Sequence, residues 1–372
     1  MKKAFVYGVA VDGDNFTDRK EESRRLRLNF ENGQNVILIS PRRMGKTSLV
    51  RHVISQIDSQ TMTIVYLDIY DCRTEYDFYN KFASAVFKQT ANKGELMLQN
   101  IKEFMTRLTP KISFSIDPEN EMSVSLGITP KDYSPEEILQ LPEKLSHKIG
   151  KHIVVCIDEF QQIGNFPDTL AVQKRIRGIW QLQKNTSYCL FGSKKHMLAD
   201  LFQNKRMPFY QFGDILFLKP IPINDWIPFI RNKFEEKGQK ISDNHITRIC
   251  NTVESQSSYV QQLAWNVMLC SEEKVSDTSI DTAIGDLIDQ NSMLFIQQTE
   301  GLSSYQFNFL KAMAEGVSYD FTSAEILKKY SLGSKSNICR IQETLIKKEL
   351  IEKTGKTIKF ADPVFHLWML KQ

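Results

Sequence analysis

The chain has 372 residues, of which 41% are hydrophobic and 25% are charged, and its net charge at pH 7 is +4. This composition excludes an intrinsically disordered chain, and the length predicts two or three globular domains. Six scattered cysteines and the lack of any membrane-length apolar run predict a cytoplasmic protein without membrane contact, and the small net charge demands no nucleic-acid partner.

The first predicted unit is a strand, a basic loop and a helix. An apolar run at 35–39 is followed by Gly45, Lys46 and Thr47 at the turn into a helix, which is the layout of a phosphate-binding P-loop. Backbone N–H groups of such a loop converge on phosphates, Lys46 reaches the terminal phosphates, and the Thr47 hydroxyl ligates Mg²⁺. The pattern departs from G-x-x-x-x-G-K-S/T at one position, where Ser40 replaces glycine. The predicted nucleotide-contacting residues are Ser40, Pro41, Arg42, Arg43, Met44, Gly45, Lys46, Thr47 and Ser48.

The next segments continue an α/β alternation and then interrupt it. A strand is predicted at 63–68 and a helix at 76–89. Residues 93–135 depart from the alternation, because 112–116 and 122–126 alternate apolar and polar side chains around a turn. This pattern predicts a β-hairpin that is an insertion on the α/β core domain. Such a hairpin either contacts a partner or is a passive surface feature, and the sequence leaves both open.

A second chemical motif follows a buried strand. The continuous apolar run at 153–157 is typical of a strand covered on both faces, and it ends in Asp158 and Glu159. In P-loop enzymes an acid at this place holds Mg²⁺ directly or through water, and Glu159 is placed to polarise the attacking water as a general base. Taken alone, the pattern is better explained by a solvated acidic turn. The P-loop on another strand favours the metal site.

The remaining core elements predict a parallel sheet. A helix at 170–183 leads to a strand at 187–193, whose last residue, Ser193, can contact the terminal phosphate or its water. The last strand is predicted at 215–218. Because a strand intervenes between the P-loop and the acidic strand, the order is typical of additional-strand NTPases. The fold class is therefore α/β, a parallel sheet covered by helices, with ligand at the carboxyl strand ends.

From residue 224 onward the pattern is helical. Four helices directly after a P-loop core predict a lid that moves with nucleotide state, and they lie at 226–237, 243–254, 259–271 and 277–298. Three further helices and a short hairpin predict a winged helix, and they lie at 303–315, 323–330, 334–346 and 350–360. Basic residues on its third helix and wing suit phosphate contacts, namely Lys335, Arg340, Lys347, Lys348, Lys353, Lys356 and Lys359. Interspersed glutamates leave protein docking or a solvated face as equal alternatives to DNA binding.

Taken together, these motifs resemble the archaeal-type ATPases, P-loop proteins of the STAND/AAA-like group. The resemblance is carried by an entry segment at 16–22, the loop at 41–49, and the acidic strand end at 158–161. It is also carried by Phe191-Gly192-Ser193 and the terminal segment at 362–368.

The resemblance implies three domains and two cofactors. An ATPase core would span 1–221 with the hairpin insertion at about 93–135, a helical lid would span 222–299, and a winged helix would span 300–372. ATP and Mg²⁺ are the implied cofactors, and the family is more firmly tied to them than to a cellular task. The predicted catalytic residues are Lys46, Glu159, Ser193 and Arg206, and the predicted metal ligands are Thr47 and Asp158.

Two features of this family are missing from the chain. A Tyr-Gly-Arg segment, which supplies a candidate arginine finger, corresponds here to 208–213, which holds no arginine. A Gly-x-Pro turn in the lid corresponds to 256–259. Both departures favour slow turnover. Arg206, with Arg175 or Arg177 as substitutes, is the candidate cation for a neighbouring subunit, and for each of them a solvated surface arginine is the competing interpretation.

Two functions follow from these motifs. The first is Mg²⁺-dependent ATP hydrolysis that drives a switch, with the winged helix contacting DNA or a protein and with a homo-oligomer as a candidate assembly. The alternative is an ATP-gated binding module with little or no turnover.

Overall fold

The computed structural model describes residues 4–11, 13–90 and 134–372. The chain divides into two compact units, one formed by Arg19–Lys219 and the other by Met1–Asp18 together with Pro220–Gln372. The hairpin predicted at 112–126 lies outside the described residues. The second unit holds the residues of both the predicted lid and the predicted winged helix, and the boundary between those two domains stays a prediction.

The first unit is built on a five-stranded parallel sheet. Each predicted strand is present within one residue of its expected bounds, as β1 Val36–Ile39, β2 Met62–Asp68, β3 His152–Asp158, β4 Thr186–Gly192 and β5 Asp214–Phe217. The strands lie in the order β2-β3-β4-β1-β5 and every pair is parallel. One strand, β4, therefore separates the P-loop strand from the acidic strand, as the additional-strand order predicts.

Helices cover this sheet and explain the apolar runs of its central strands. Every residue of β1 and β4 is buried, and so is β3 after its first residue, as expected for parallel strands packed on both faces. Trp180 stacks on Tyr188 of β4 with ring centroids 3.8 Å apart and anchors one apolar layer. The covering helices are α1 Lys20–Glu31, α2 Lys46–Gln56, α3 Glu75–Thr90, α4 Pro135–Leu139, α5 Leu141–Ile149, α6 Thr169–Trp180 and α7 Lys195–Gln203.

The second unit is helical with one small hairpin. The four helices predicted after residue 224 are present, as α8 Ile223–Glu235, α9 Asp243–Thr252, α10 Ser257–Leu269 and α11 Asp277–Glu300. They are followed by α12 Ser304–Ala314, α13 Ala324–Lys329, α14 Lys335–Lys347, β6 Ile351–Thr354, β7 Thr357–Phe360 and α15 Pro363–Met369. Strands β6 and β7 pair antiparallel and form the predicted wing. Among the helices of the described residues, none combines the length and the apolar character that a membrane span needs.

One hydrophobic cluster runs through the whole second unit. It joins residues of the predicted lid, such as Trp226 and Leu263, to Phe365 and Trp368 of the terminal helix α15. The ring centroid of Phe295 on α11 lies 5.3 Å from that of Phe365 and 5.9 Å from that of Trp368. The terminal segment that resembles the archaeal-type ATPases is therefore part of this shared core.

Asp362 links the helices α10 and α15 of this unit, and its replacement tests how much that link stabilises the unit. Its Oδ1 accepts the N–H groups of Val364 and Phe365 at 2.9 and 3.2 Å and caps α15, and its Oδ2 accepts the hydroxyl of the buried Tyr259 at 2.7 Å. Asp362→Ala should lower the free energy of unfolding by about 2–3 kcal/mol, because it removes both the cap of α15 and the hydrogen bond from the Tyr259 hydroxyl.

Chemical denaturation of the full chain measures this change. Asp362→Asn is the matched control, because asparagine caps a helix as well as aspartate does and keeps an acceptor for Tyr259. It should lose much less stability than the alanine variant. An alanine variant as stable as the wild type would show that the link contributes nothing to the unit.

Candidate functional site

The predicted P-loop connects β1 to α2 at the carboxyl edge of the sheet. Gly45 precedes α2 with φ of 81°, in the left-handed region that glycine adopts without strain. Ser40, at the position where the full pattern has glycine, is buried, and its hydroxyl donates to the carbonyl of Pro41 at 2.9 Å. The loop therefore accommodates the serine, and its hydroxyl is satisfied. Among the other predicted contact residues, Met44 and Ser48 are buried, Pro41 and Arg43 are half-buried, and Arg42 is exposed.

Lys46 places an ammonium group inside this loop. Its Nζ donates to the carbonyl of Pro41 at 2.9 Å and to that of Ser40 at 3.4 Å, and its side chain is only 7% exposed. Burial lowers the pKa of Lys46 to about 8, although the carboxylates of Glu159 and Asp158 oppose the change. The loop thus holds a poorly solvated positive charge, which is suited to bind phosphate.

Thr47 and Asp158, the two predicted metal ligands, lie in direct contact. The Thr47 hydroxyl donates to Asp158 Oδ2 at 2.9 Å, although 111 residues separate the two in sequence. Asp158 Oδ1 accepts the backbone N–H of Glu159 at 2.9 Å. Burial raises the pKa of Asp158, and the hydrogen bonds from Thr47 and Tyr66 oppose that rise. A hydroxyl and a carboxylate at one point form the hard oxygen donor set that Mg²⁺ prefers, so the residues fit this ion.

Glu159 and Ser193 meet across the ends of β3 and β4. Glu159 Oε2 accepts the Ser193 hydroxyl at 2.9 Å, the Ser193 backbone N–H at 3.3 Å, and the side-chain amide of Gln161. Glu159 has φ of 54°, which turns the chain sharply after the strand. Gly192 makes room for this arrangement, since a Cβ there would lie 1.9 Å from Gln161 Oε1 and 3.1 Å from Glu159 Cα. The structure therefore brings together Glu159, the predicted base, and Ser193, which is predicted to contact the terminal phosphate or its water.

The candidate arginines are not part of this cluster. Arg175 pairs with Glu75 at 2.9 Å and Glu136 at 3.4 Å. Arg177 lies over the ring of Phe212, 5.0 Å from its centroid. Arg206 is exposed on the turn after α7, and its backbone N–H donates to the Asn204 side chain at 3.0 Å. In the described part of the chain, no hydrogen bond or ion pair joins these three arginines to Lys46, Asp158 or Glu159.

Three residues of the site escaped prediction. The Tyr66 hydroxyl donates to Asp158 Oδ2 at 3.0 Å, and Gln161 holds Glu159. Arg19, which is 3% exposed, donates to the carbonyl of Met44 in the loop at 3.1 Å and to that of Lys219 at 2.5 Å. The one sequence signal for Arg19 is that it lies in the 16–22 entry segment. Gln161 lies in the 158–161 segment that carries the resemblance, although no role was predicted for it. Tyr66 has no sequence signal, because its contact depends on which strands are neighbours.

A family model described as an ATPase domain predominantly from Archaea matches residues 16–263. The chain belongs to this archaeal ATPase family. A second model, described as a probable winged helix domain, matches residues 293–371. The resemblance and the fold class predicted from the sequence are thus confirmed.

Solved structures agree with this assignment of the fold. A Walker-type ATPase of Pyrococcus abyssi is 19% identical over 99% of both chains, with a TM-score of 0.71. The ORC2 protein of Aeropyrum pernix, solved as ADPNP-ADP complexes, is 14% identical over 99% of this chain and 95% of its own, with a TM-score of 0.61. The ORC1 protein of the same organism, solved in complex with DNA, is 14% identical over 96% of this chain and 94% of its own, with a TM-score of 0.50. Among curated proteins, none matches the sequence.

The chain therefore has an archaeal-type ATPase domain at 16–263 and a probable winged helix domain at 293–371. Because the sequence identities to these solved structures are all below one fifth, they establish only that the fold is similar. The roles of individual site residues rest on the geometry of Lys46, Thr47, Asp158, Glu159 and Ser193.

Proposed function

We propose that this archaeal-type ATPase binds ATP together with Mg²⁺ and hydrolyses it as a nucleotide-driven switch. One observation carries the proposal. Asp158, the last residue of β3, accepts a hydrogen bond from the P-loop Thr47, and Glu159, which follows it, accepts one from Ser193, both at 2.9 Å. The groups proposed to bind phosphate, to bind the metal ion and to act as the base therefore lie at one edge of the sheet, where parallel α/β folds bind ligands.

Each residue then has a distinct role. The backbone N–H groups from Ser40 to Ser48, except at Pro41, which has none, and the Lys46 ammonium hold the phosphates. Thr47 and Asp158 would hold Mg²⁺, and the bound ion would neutralise negative charge on the phosphate. Glu159 accepts a proton from the attacking water, and Ser193 orients the Glu159 carboxylate and the terminal phosphate.

Steady-state phosphate release at saturating ATP tests this function. We expect release by the wild type with Mg²⁺ and none when EDTA removes the ion, with DNA added in a parallel series. Release that is equal with and without Mg²⁺ would contradict the proposed metal site, and no release in either condition would contradict hydrolysis.

The alternative, an ATP-gated binding module with little turnover, is favoured by a separate observation. The segment that corresponds to Tyr-Gly-Arg places Phe212 in the core, where its ring lies 6.2 Å from both Trp180 and Tyr188. Hydrolysis therefore lacks a cation from that segment. If phosphate release is absent, ATP that changes the affinity for DNA or for a protein would support this second function.

The winged helix is the proposed contact surface in both cases. The seven basic residues predicted to contact phosphates, from Lys335 to Lys359, are all exposed. Two of them already have partners, since Lys353 donates to Gln342 at 3.1 Å and Lys359 pairs with Glu254 at 3.7 Å. The likeness to ORC1, which was solved with DNA, supports DNA as a partner, and a protein partner stays the alternative.

Arg206 is the proposed cation for the site of a neighbouring copy of the chain. Its exposure on the turn after α7 leaves it accessible to a second subunit. Specific ATPase activity should then rise with protein concentration, and Arg206→Ala should remove that rise without changing ATP affinity. Arg24→Ala, at another exposed arginine of the same unit, is the control and should keep the rise. Activity that is flat across concentration would rule out a cation from a second subunit.

A further inference from the structure

The side chain of Tyr66 reaches the predicted metal ligand from a neighbouring strand. Tyr66 lies on β2 opposite Cys156 of β3, two residues before Asp158. Its hydroxyl donates to Asp158 Oδ2 at 3.0 Å, which is the same oxygen that accepts the Thr47 hydroxyl at 2.9 Å. Asp158 therefore receives one hydroxyl from the P-loop and another from β2.

The structure fixes Tyr66 at its backbone and at its ring. The Gln89 side chain accepts the Tyr66 backbone N–H at 2.8 Å and donates to its carbonyl at 3.0 Å. The guanidinium of Arg51 on α2 lies 5.3 Å from the centre of the tyrosine ring, and the ring of Phe191 lies 6.3 Å away. Because backbone and ring are both held, the hydroxyl has a fixed place from which to orient Asp158.

The hydrogen bonds of Asp158 also define how much of its carboxylate is left for a metal ion. An ionised carboxylate offers about four lone-pair sites. Tyr66, Thr47 and the backbone N–H of Glu159 occupy three of them. The remaining site is the one that a metal ion or a metal-bound water can use, and its direction is set by the three donors.

We propose that Tyr66 is a positioning residue for Mg²⁺, acting through the orientation of Asp158. This inference rests on the proposed metal site at Thr47 and Asp158. Residues that orient metal ligands typically change metal affinity by about 10–100-fold when they are replaced. Removing the Tyr66 hydroxyl allows the carboxylate to rotate, so the Mg²⁺ concentration needed for tight ATP binding should rise about tenfold.

Tyr66→Phe tests this role, because it removes the hydroxyl and keeps the ring against Arg51 and Phe191. ATP affinity is measured in EDTA and over a series of free Mg²⁺ concentrations. Tyr188→Phe is the matched control, since it removes another tyrosine hydroxyl in the same unit, bonded to Gln183 at 2.6 Å. We expect both variants to bind ATP in EDTA as tightly as the wild type does. The Mg²⁺ concentration needed for tight ATP binding, here called the Mg²⁺ demand, should rise about tenfold for Tyr66→Phe alone.

A second variant checks that Tyr66 acts through Asp158. In an Asp158→Asn background, adding Tyr66→Phe should shift the Mg²⁺ demand by less than about twofold, because the two residues act as one unit. A full tenfold shift in the Asp158→Asn background would show that Tyr66 does not act through Asp158.

The outcomes separate this inference from the proposed function. A wild type that needs Mg²⁺ and a Tyr66→Phe variant with the same Mg²⁺ demand would overturn only the role of Tyr66. A wild type whose ATP affinity ignores Mg²⁺ would overturn the metal site and the role of Tyr66 together.

Discussion

Lys46→Ala is expected to weaken ATP binding at least about tenfold, which corresponds to roughly 1.4 kcal/mol. The Lys46 ammonium lies inside the P-loop and bonds to the carbonyls of Ser40 and Pro41. Water screens a buried charge only weakly, so its attraction to a phosphate is strong. Alanine removes that charge and leaves backbone N–H groups as phosphate ligands.

Calorimetric titration with Mg²⁺-ATP measures this loss. Lys233→Ala is the matched control, because Lys233 is also a buried lysine, 3% exposed, and its ammonium lies 5.6 Å from the ring centre of Phe229 in the second unit. The control should bind ATP as the wild type does. Equal affinities for the wild type and Lys46→Ala would show that ATP does not bind at this loop.

Glu159→Gln is expected to keep ATP bound and to lose hydrolysis by about a hundredfold or more. The glutamine oxygen can still accept the hydrogen bonds that Ser193 gives to the carboxylate. The amide cannot take a proton from water, so the site stays filled but the base is lost. Parallel calorimetry and phosphate release separate these two effects.

Glu143→Gln provides the control for this experiment. Glu143 is another carboxylate of the first unit that accepts backbone N–H groups, those of Lys184 and Asn185 at 3.1 and 3.0 Å. It has no role in the proposed chemistry, so its amide variant should hydrolyse ATP at the wild-type rate. A Glu159→Gln variant that also turns over at the wild-type rate would show that another group is the base.

The sheet was predictable because parallel strands buried on both faces appear in the sequence as continuous apolar runs. Strand β3 is the clearest case, since 153–157 was predicted and His152–Asp158 is observed. Helix α1 was missed because Leu26 and Phe30 are its only buried residues, which makes too narrow an apolar stripe. The short helices at 135–149 were missed for a related reason, since one element of five residues and one of nine leave little periodicity to detect.

The chemistry of the site was only partly predictable. Lys46 and Thr47 belong to one contiguous motif, and Asp158 and Glu159 to another, so sequence spacing identified both pairs. Contacts between motifs depend on strand order and register, which no local pattern encodes.

Tyr66 and Gln161 illustrate that limit. Tyr66 reaches Asp158 because β2 pairs with β3 in a register that places Asp68 beside Asp158. Gln161 reaches Glu159 because Gly192 on a different strand has no side chain. The Tyr66 contact therefore needs two segments far apart in sequence to lie side by side. The Gln161 contact is local in sequence but needs Gly192 of β4 beside it.

The structure of this protein bound to Mg²⁺ and a non-hydrolysable ATP analogue tests the central claim most directly. We predict the terminal phosphate at about 3 Å from Lys46 Nζ, with the ammonium drawn away from the Ser40 and Pro41 carbonyls. Mg²⁺ should lie about 2.1 Å from Thr47 Oγ1, beside Asp158. An analogue bound outside the loop, with Lys46 still donating to the two carbonyls, would contradict the account.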